Sequence, residues 1–380
     1  MQHVENLIIG AGPAGLAVAG RFRKNGIPFE IVEQSDKFAV AWHNHYDRLC
    51  LHTVKEWSHL PHLPFPEDYP RYVPREQFAE YCAAYAEHFD IRPHFEQEVT
   101  SVRRQGSQWL VETKQGMSFL ANHVVVATGV NRVPFWPTWP GQEEFAGTIE
   151  HSRIYKNPKP YYGKKVLVVG MGNTGAEVAL DLAEQDVDVT ISVRSPVNIV
   201  PRDINGRPTQ VTAKLLAKLP FGLGDWLGTQ IRKFVVGDLS KYGLQTANIP
   251  PARQLRDTGK TPVVDLGTVE QIKAGNIHVI PDIDHFIVEG VVDVRGDTHQ
   301  FDAVLLATGY RAKVEDFLET TEGLLDKHGV PKSPVGEGRY EGLYFVGFDN
   351  YKLGGILGTI FTDSKTITQH LLAQAKAVHG

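Results

Sequence analysis

Two stretches of the chain share one punctuation. NLIIGAGPAGLAVAGRFRKNGIPFEIVEQ, near residue 10, and KKVLVVGMGNTGAEVALDLAEQDVDVTISVRS, near residue 170, each run an apolar strand into three glycines spaced GxGxxG. Helical periodicity follows, and then a second apolar run. Few folds need that order twice, and the spacing predicts an α/β chain with two Rossmann-like dinucleotide-binding units. In the first, Asn6 to Ile9 reads as a short buried strand, Leu16 to Lys24 as a helix and Phe29 to Val32 as the returning strand. Gly10 permits the tight turn, Gly12 lets the backbone approach a pyrophosphate, and Gly15 lets helix and strand touch, with Pro13 and Ala14 between them. Glu33, beside Gln34, stands eighteen residues after Gly15, placed to accept hydrogen bonds from a ribose. A carboxylate there repels a 2′-phosphate, so this site takes FAD or NAD rather than NADP. An accidental glycine-rich turn is the competing reading, and it must explain why strand, helix, second strand and acid all fall in place.

The second unit repeats the glycines as Gly170, Gly172 and Gly175 after the strand Val166 to Val169. Where the first unit has Glu33, this one has Arg194 with Ser195 beside it. A guanidinium and a hydroxyl at that place suit a ribose 2′-phosphate and hence NADPH, while a solvated strand-end arginine is the plainer reading. Asn173 and Thr174 can hydrogen-bond the phosphates or simply cap a helix from 174 onward. Arg202 either joins the same phosphate or is a surface arginine.

Opposite nucleotide preferences in one chain point to FAD in the first unit and NADPH in the second, which is the pairing of a flavoenzyme. Two further apolar runs, ANHVVVATGVN and FDAVLLATGYR, end in Ala127, Thr128, Gly129 and in Ala307, Thr308, Gly309. These read as cofactor-side turns where the chain crosses between domains, or else as ordinary strand exits. Val99 is assigned to the cofactor-binding set. The expected organisation is an FAD domain, 1–155 with 296–380, interrupted by an NADPH domain, 156–295, that carries a helical insert near 208–255.

Other classes are disfavoured. The formal net charge of -5 gives no general attraction to nucleic acid or an anionic membrane. Cys50 and Cys82 form no CxxC pair, which argues against a disulfide framework, a zinc knuckle and a dithiol relay and leaves a reducing cytoplasm as the simplest home. The chain enters a strand within its first residues, so no signal peptide is expected there. No apolar run reaches the roughly 20 residues of a membrane span. His43, His45, His52, His59 and His62 crowd one stretch, but without HExxH or paired-Cys logic, so no metal is expected.

Between the two units lies FAGTIEHSRIYK, in which Phe145, Gly147, His151 and Tyr155 match FxGxxxHxxxY. On that motif and both fingerprints the sequence resembles class B flavin-dependent monooxygenases. Related Baeyer-Villiger enzymes typically carry Trp at the last position, and Tyr155 points instead to N- or S-oxygenating and YUCCA-type members. YDRLCLHTVKEW, LPFPEDYPRYVPREQFAEYCAAYAEHF and GKTPVVDLGTVEQIKAGNIHVIP look like the YUCCA-type indole-3-pyruvate monooxygenases. The run VGFDNYKLGGILGTIFTDSKTI departs from their pattern, which bears on the substrate.

The resemblance implies that NADPH reduces FAD, that oxygen adds at flavin C4a as a peroxide or hydroperoxide, and that a small organic substrate is oxygenated. Oxidative decarboxylation of indole-3-pyruvate is one form, and N- or S-oxygenation of a soft nucleophile is the other. A reductase or oxidase without oxygen insertion, and a slow redox-sensing module, are the readings from other classes; a homodimer stays open. His52 occupies the place of an adduct-supporting residue, with a structural histidine bonded to backbone as its alternative. Trp42 ends a segment that reads Gly-Gly-x-Trp in relatives, and it packs either near the flavin or in the core. Residues 211–239 are apolar at helical spacing with Lys and Arg interleaved, as in a packed helical hairpin or a membrane-touching element.

Overall fold

Strands buried on both faces need no polar alternation, and the runs LII, VVV and VLVV are of that kind. The computed structural model describes residues 1–220, 222–258, 260–349 and 355–379. Of the C-terminal run singled out above, residues 350–354 lie outside the described residues. Met1–Asn44, Thr53–Val133 and Tyr310–Gly380 form one unit, and His45–His52 with Pro134–Gly309 form a second, inserted in the first.

The first unit is built on a sheet in the order Glu30–Val32, Gln2–Ile9, Ser118–Val126, Gln108–Thr113, Val99–Gln105, with Leu343–Phe345 also paired to Ser118–Val126. The strands around the glycine turn are parallel, Ile9 lying between Val32 and Val126 in register, and Phe345 also opposing Val126. Val99–Gln105 and Gln108–Thr113 make an antiparallel hairpin. Leu7, Ile9, Val124, Val126 and Phe345 share one buried cluster. Helix Pro13–Lys24 packs along the C-terminal helix Gly355–His379. Buried Arg21 ties the pair, donating to Ser364 Oγ at 3.0 Å and the Phe361 carbonyl at 3.2 Å, with its guanidinium over the Phe361 ring.

The second unit has an all-parallel sheet in the order Ile277–Ile280, Asp188–Ser192, Lys165–Val169, Ala303–Leu306, Thr148–His151. Its insert carries helices Thr209–Leu216, Leu223–Val236 and Pro251–Thr258, close to the expected span. The first two pack on each other, yet Trp226 and Phe234 stay exposed, so the apolar stripe is not wholly spent on that hairpin. No described helix is long and apolar enough to cross a membrane.

The unit boundaries fall at 133 and 309 rather than at 155 and 296. The physical reason is strand pairing. Thr148–His151 joins the edge of the second sheet, His151 opposite Leu306, and draws the whole FxGxxxHxxxY motif into the second unit. The motif is thus an edge strand and its flanks rather than a free connector. Both Ala-Thr-Gly turns end close to the boundaries, Gly129 shortly before 133 and Gly309 at the second.

The two glycine turns are nearly superimposable in their demands. A Cβ on Gly15 would sit 1.9 Å from the Gly10 carbonyl oxygen, and one on Gly175 would sit 1.9 Å from that of Gly170. Gly12 and Gly172 face open space. Gly15→Ala and Gly175→Ala are therefore expected to cost about 3 kcal/mol of unfolding free energy or to prevent folding. Gly12→Ala and Gly172→Ala should cost at most about 1 kcal/mol. Urea denaturation of the four variants distinguishes them, and equal costs would contradict the packing role.

Candidate functional site

The first turn is fixed by its own backbone. Gly10 adopts φ +106, and its N–H donates to the Val32 carbonyl at 2.8 Å. The Ala11 N–H donates to Glu33 Oε2 at 2.7 Å, while Ser35 donates to Oε1 through its N–H at 2.9 Å and its hydroxyl at 2.7 Å. Buried Glu33 thus holds a defined pose at the strand end, with Oε1 accepting twice and Oε2 left with a lone pair to spare. Helix Pro13–Lys24 starts after Gly12 with no side-chain cap, and Pro13 has no N–H to satisfy, so its N-terminus presents uncapped backbone amides. Across the turn a Gly10 Cβ would meet the Ala127 carbonyl at 2.8 Å. Next to Ala127 the buried Thr128 hydroxyl has no hydrogen-bond partner among the described residues. A cradle with open space at Gly12 and an orphaned hydroxyl beside it fits a dinucleotide. Ala14 is buried on the helix, Gln34 is exposed beyond Glu33, and Gly129 takes φ +79.

Two members of the expected set have other surroundings. Trp42 meets Phe78 with ring planes tilted by 52° and centroids 4.3 Å apart, so its indole is packed against helix Arg75–His88. Ala39, where relatives carry the first glycine of Gly-Gly-x-Trp, adopts left-handed φ +49 and donates its N–H to the Ala11 carbonyl at 3.1 Å. The backbone conformation that glycine favours is thus kept without the glycine. Val99 begins the hairpin and packs against the buried cluster beneath the sheet.

The second turn repeats the geometry, with Gly170 at φ +102 and its N–H donating to the Ser192 carbonyl at 3.0 Å. Its helix begins at Asn173, one residue before the expected start, and neither Asn173 nor Thr174 caps it: Gly172 is the N-cap, without a side-chain hydrogen bond. The Asn173 Oδ1 instead accepts from the Val264 N–H at 2.7 Å, tying the turn to strand Val263–Asp265. Arg194 is exposed and Ser195 half-buried, just beyond strand Asp188–Ser192. Arg202 pairs with Asp203 at 3.3 Å. Ala307 lies beside Gly170, Gly309 takes φ +85, and the Thr308 hydroxyl donates to the Phe135 carbonyl at 2.6 Å. The two Ala-Thr-Gly turns therefore differ: the second threonine is satisfied, the first is not.

The motif residues each have a structural task. Phe145 packs edge-on against Phe286, and Gly147 admits no Cβ, which would lie 2.5 Å from the Asp302 carbonyl oxygen. His151 Nδ1 accepts from the Arg153 N–H at 3.1 Å, which places the proton on Nε2, where it donates to the Gly309 carbonyl at 3.1 Å. The Tyr155 hydroxyl donates to Asp181 Oδ2 at 2.7 Å. Burial, reinforced by that carboxylate, raises the phenol pKa, so Tyr155 remains a donor.

A network not foreseen from the sequence runs along helix Asn173–Ala183 and its C-cap. Glu177, Asp181 and Glu184 lie four and three residues apart, on one stripe. Segment 45–52 is fastened to that stripe. Buried Glu177 Oε2 accepts from the Tyr46 hydroxyl at 2.8 Å and pairs with His52 Nε2 at 3.1 Å. Arg48 reaches Asp181 at 3.3 Å and Glu184 at 2.7 Å. His52 is thus bonded to a carboxylate rather than to backbone. A carboxylate oxygen can only accept from the ring, so Nε2 is the donor, and Nδ1 has no partner among the described residues. The visible sign was three acids on one face of an otherwise apolar helix. Cys50, between these anchors, and Cys82 both have thiol pKa values raised by burial, which argues against thiolate chemistry.

A family model for flavin-binding monooxygenase-like proteins matches residues 7–327. The chain belongs to that family. Among curated relatives of this monooxygenase-like chain, the probable indole-3-pyruvate monooxygenase YUCCA9 of Arabidopsis thaliana is 41% identical over 92% of this chain and 85% of its own. Indole-3-pyruvate monooxygenase YUCCA1 of Oryza sativa subsp. japonica is 39% identical over 93% and 88%. Among solved structures, a flavin-containing monooxygenase from Stenotrophomonas maltophilia shares the fold with a TM-score of 0.76 at 21% identity, over 99% of this chain and 100% of that one. An oxidized steroid monooxygenase bound to NADP gives 0.75 at 18%, over 98% and 86%. Among the described residues of this flavin-binding monooxygenase-like chain, no group of three or more His, Cys, Asp or Glu could hold a metal ion.

Burial holds the His151 imidazole below its ordinary value of 6.5, with Arg153 acting in the same direction and the Gly309 carbonyl against it. Burial also lowers His43, His62 and His123. As pH falls through 6.5 the unfolded chain takes up these protons before the folded one does, so stability present above that value is lost on acidification. The urea midpoint should fall between about pH 7.5 and about pH 5.5, and less steeply in His151→Gln. A slope unchanged in the variant would remove His151 from the titration. Tyr155→Phe, which deletes one hydrogen bond to a carboxylate, should cost about 1.5–3 kcal/mol in the same assay.

Proposed function

We propose that the chain is an FAD- and NADPH-dependent monooxygenase that oxidatively decarboxylates indole-3-pyruvate or a close α-keto acid. One observation carries the reading: two dinucleotide turns of the same geometry end in opposite charges, Glu33 in one unit and Arg194 in the other, within a chain about 40% identical to indole-3-pyruvate monooxygenases over nearly its whole length. The first unit takes FAD, its pyrophosphate over Gly10, Gly12 and the uncapped helix at Pro13 and Ala14, its ribose on Glu33, and the orphaned Thr128 hydroxyl facing the cofactor. The second takes NADPH, with Gly170, Gly172 and Gly175 under the pyrophosphate and Arg194 with Ser195 on the 2′-phosphate. The flavin supplies hydride acceptance and oxygen activation. Overall, indole-3-pyruvate, O2, NADPH and a proton yield indole-3-acetate, CO2, NADP+ and water.

The protein's own part is binding, orientation and proton handling. Glu177 holds His52 with Nε2 as donor, so Nδ1 is the atom that accepts a proton during turnover, and the resulting imidazolium is steadied by the buried carboxylate. His52 therefore relays a proton rather than simply donating a fixed hydrogen bond.

Incubation with NADPH, O2 and indole-3-pyruvate should release CO2 and indole-3-acetate in equal amounts. Oxygenation of amines or sulfides with no indole-3-acetate would replace this substrate with the N- or S-oxygenating reading. Arg194→Ala should raise the KM for NADPH roughly 10- to 100-fold and leave that for NADH unchanged, and equal effects would place the 2′-phosphate elsewhere. His52→Ala should raise the share of NADPH electrons recovered as hydrogen peroxide, and coupling at the wild-type level would exclude the relay.

A further inference from the structure

The helical insert lines a half-open cavity of about 470 Å³ that involves none of the glycine-turn residues. Its walls include Val197, Ile199, Val236, Leu239 and Leu244, four of them buried. Polar residues, Thr229, Lys233, Gln245, Thr246 and Asn248 among them, complete the lining, and beside the apolar walls lies Arg232, itself only 6% exposed. Its Nη1 donates to Asn198 Oδ1 and to the Ala247 carbonyl at 3.4 Å, both neutral acceptors. Asn198 is held in that pose by its own amide, which donates to the Ile249 carbonyl at 2.9 Å and to Gln254 Oε1 at 2.8 Å. Among the described residues no carboxylate pairs with Arg232. The acid in the lining, Asp238, is exposed and accepts from the Ser240 N–H at 2.9 Å.

A buried guanidinium held on one edge by neutral acceptors is an expensive arrangement unless an anion completes it. A volume of this size, with an apolar wall facing a fixed buried cation and polar groups around it, has the form of a small-molecule site. Burial depresses the guanidinium pKa, but arginine remains charged at any physiological pH. We propose that the insert cavity binds a small apolar monocarboxylate, an aromatic or branched aliphatic acid, with its carboxylate on Arg232 and its hydrocarbon against Val236 and Leu244. The proposal goes beyond the oxygenation reading and does not depend on it, because it rests on the insert alone.

The test is isothermal titration of the full-length, FAD-loaded protein with 2-naphthaleneacetate, beside its neutral analogue 2-naphthaleneethanol and inorganic phosphate, each with and without saturating NADP+. One-to-one binding of the acid is expected, at least tenfold tighter than the alcohol, with no heat from phosphate and no displacement by NADP+. Arg232→Gln should lose that tenfold preference. Should that variant fail to fold, Thr229→Trp serves instead: Thr229 lines the cavity, its hydroxyl bonds only within its own helix, to the Asp225 carbonyl, and the indole should abolish binding. Equal affinity for acid and alcohol, displacement by NADP+, or wild-type affinity in Thr229→Trp would each overturn the proposal, as would no binding of the acid at millimolar concentration.

Discussion

Everything that can bind a nucleotide here depends on one close approach made twice: the Cα of the third glycine against the carbonyl of the first, with no room for a Cβ. That contact sets the helix against the strand. The helix direction in turn aims uncapped amides outward and carries the following strand to where Glu33 or Arg194 must stand. Steric exclusion at two atoms thus shapes the cradle in which the proposed pyrophosphate would lie, and on the proposed reading a single side chain some twenty residues later selects the nucleotide.

Much of this was legible in the sequence because it is local. A GxGxxG turn, its flanking runs and its strand-end charge lie within about thirty residues, and their geometry follows from backbone sterics. What could not be read depends on partners distant in sequence. Nothing in YDRLCLHTVKEW indicates that Tyr46, Arg48 and His52 answer to Glu177, Asp181 and Glu184, more than a hundred residues away. The FxGxxxHxxxY segment read as a connector because its edge-strand pairing with Ala303–Leu306 is invisible until the sheet is assembled. The Asn173 cap failed for a similar reason: Val264 competes for its side-chain oxygen and wins.

The two units also show how one scaffold serves unequal demands. In the first, the acid at the strand end is buried and held by three donors, and a threonine hydroxyl is left unmet beside the turn. In the second, the matching threonine is satisfied and the basic side chain lies out in solvent. The first arrangement suits a cofactor that stays. The second suits one that comes and goes, since an exposed arginine can capture and release a phosphate without uncovering a buried charge.

The fastening of residues 45–52 to the acid stripe has a topological consequence. The second unit is not one continuous insertion, since eight residues that precede Thr53 in the chain belong to its packing. A fragment cut at 134 and 309 would keep Glu177 in its interior but lose both Tyr46 and His52, leaving a buried carboxylate with neither donor. Conversely, a chain from a distant relative grafted in place of 134–309 would have to match a peptide supplied by the host. Exchange of whole units between members of such a family is thereby restrained by a short strap that belongs to one unit and is written in the sequence of the other.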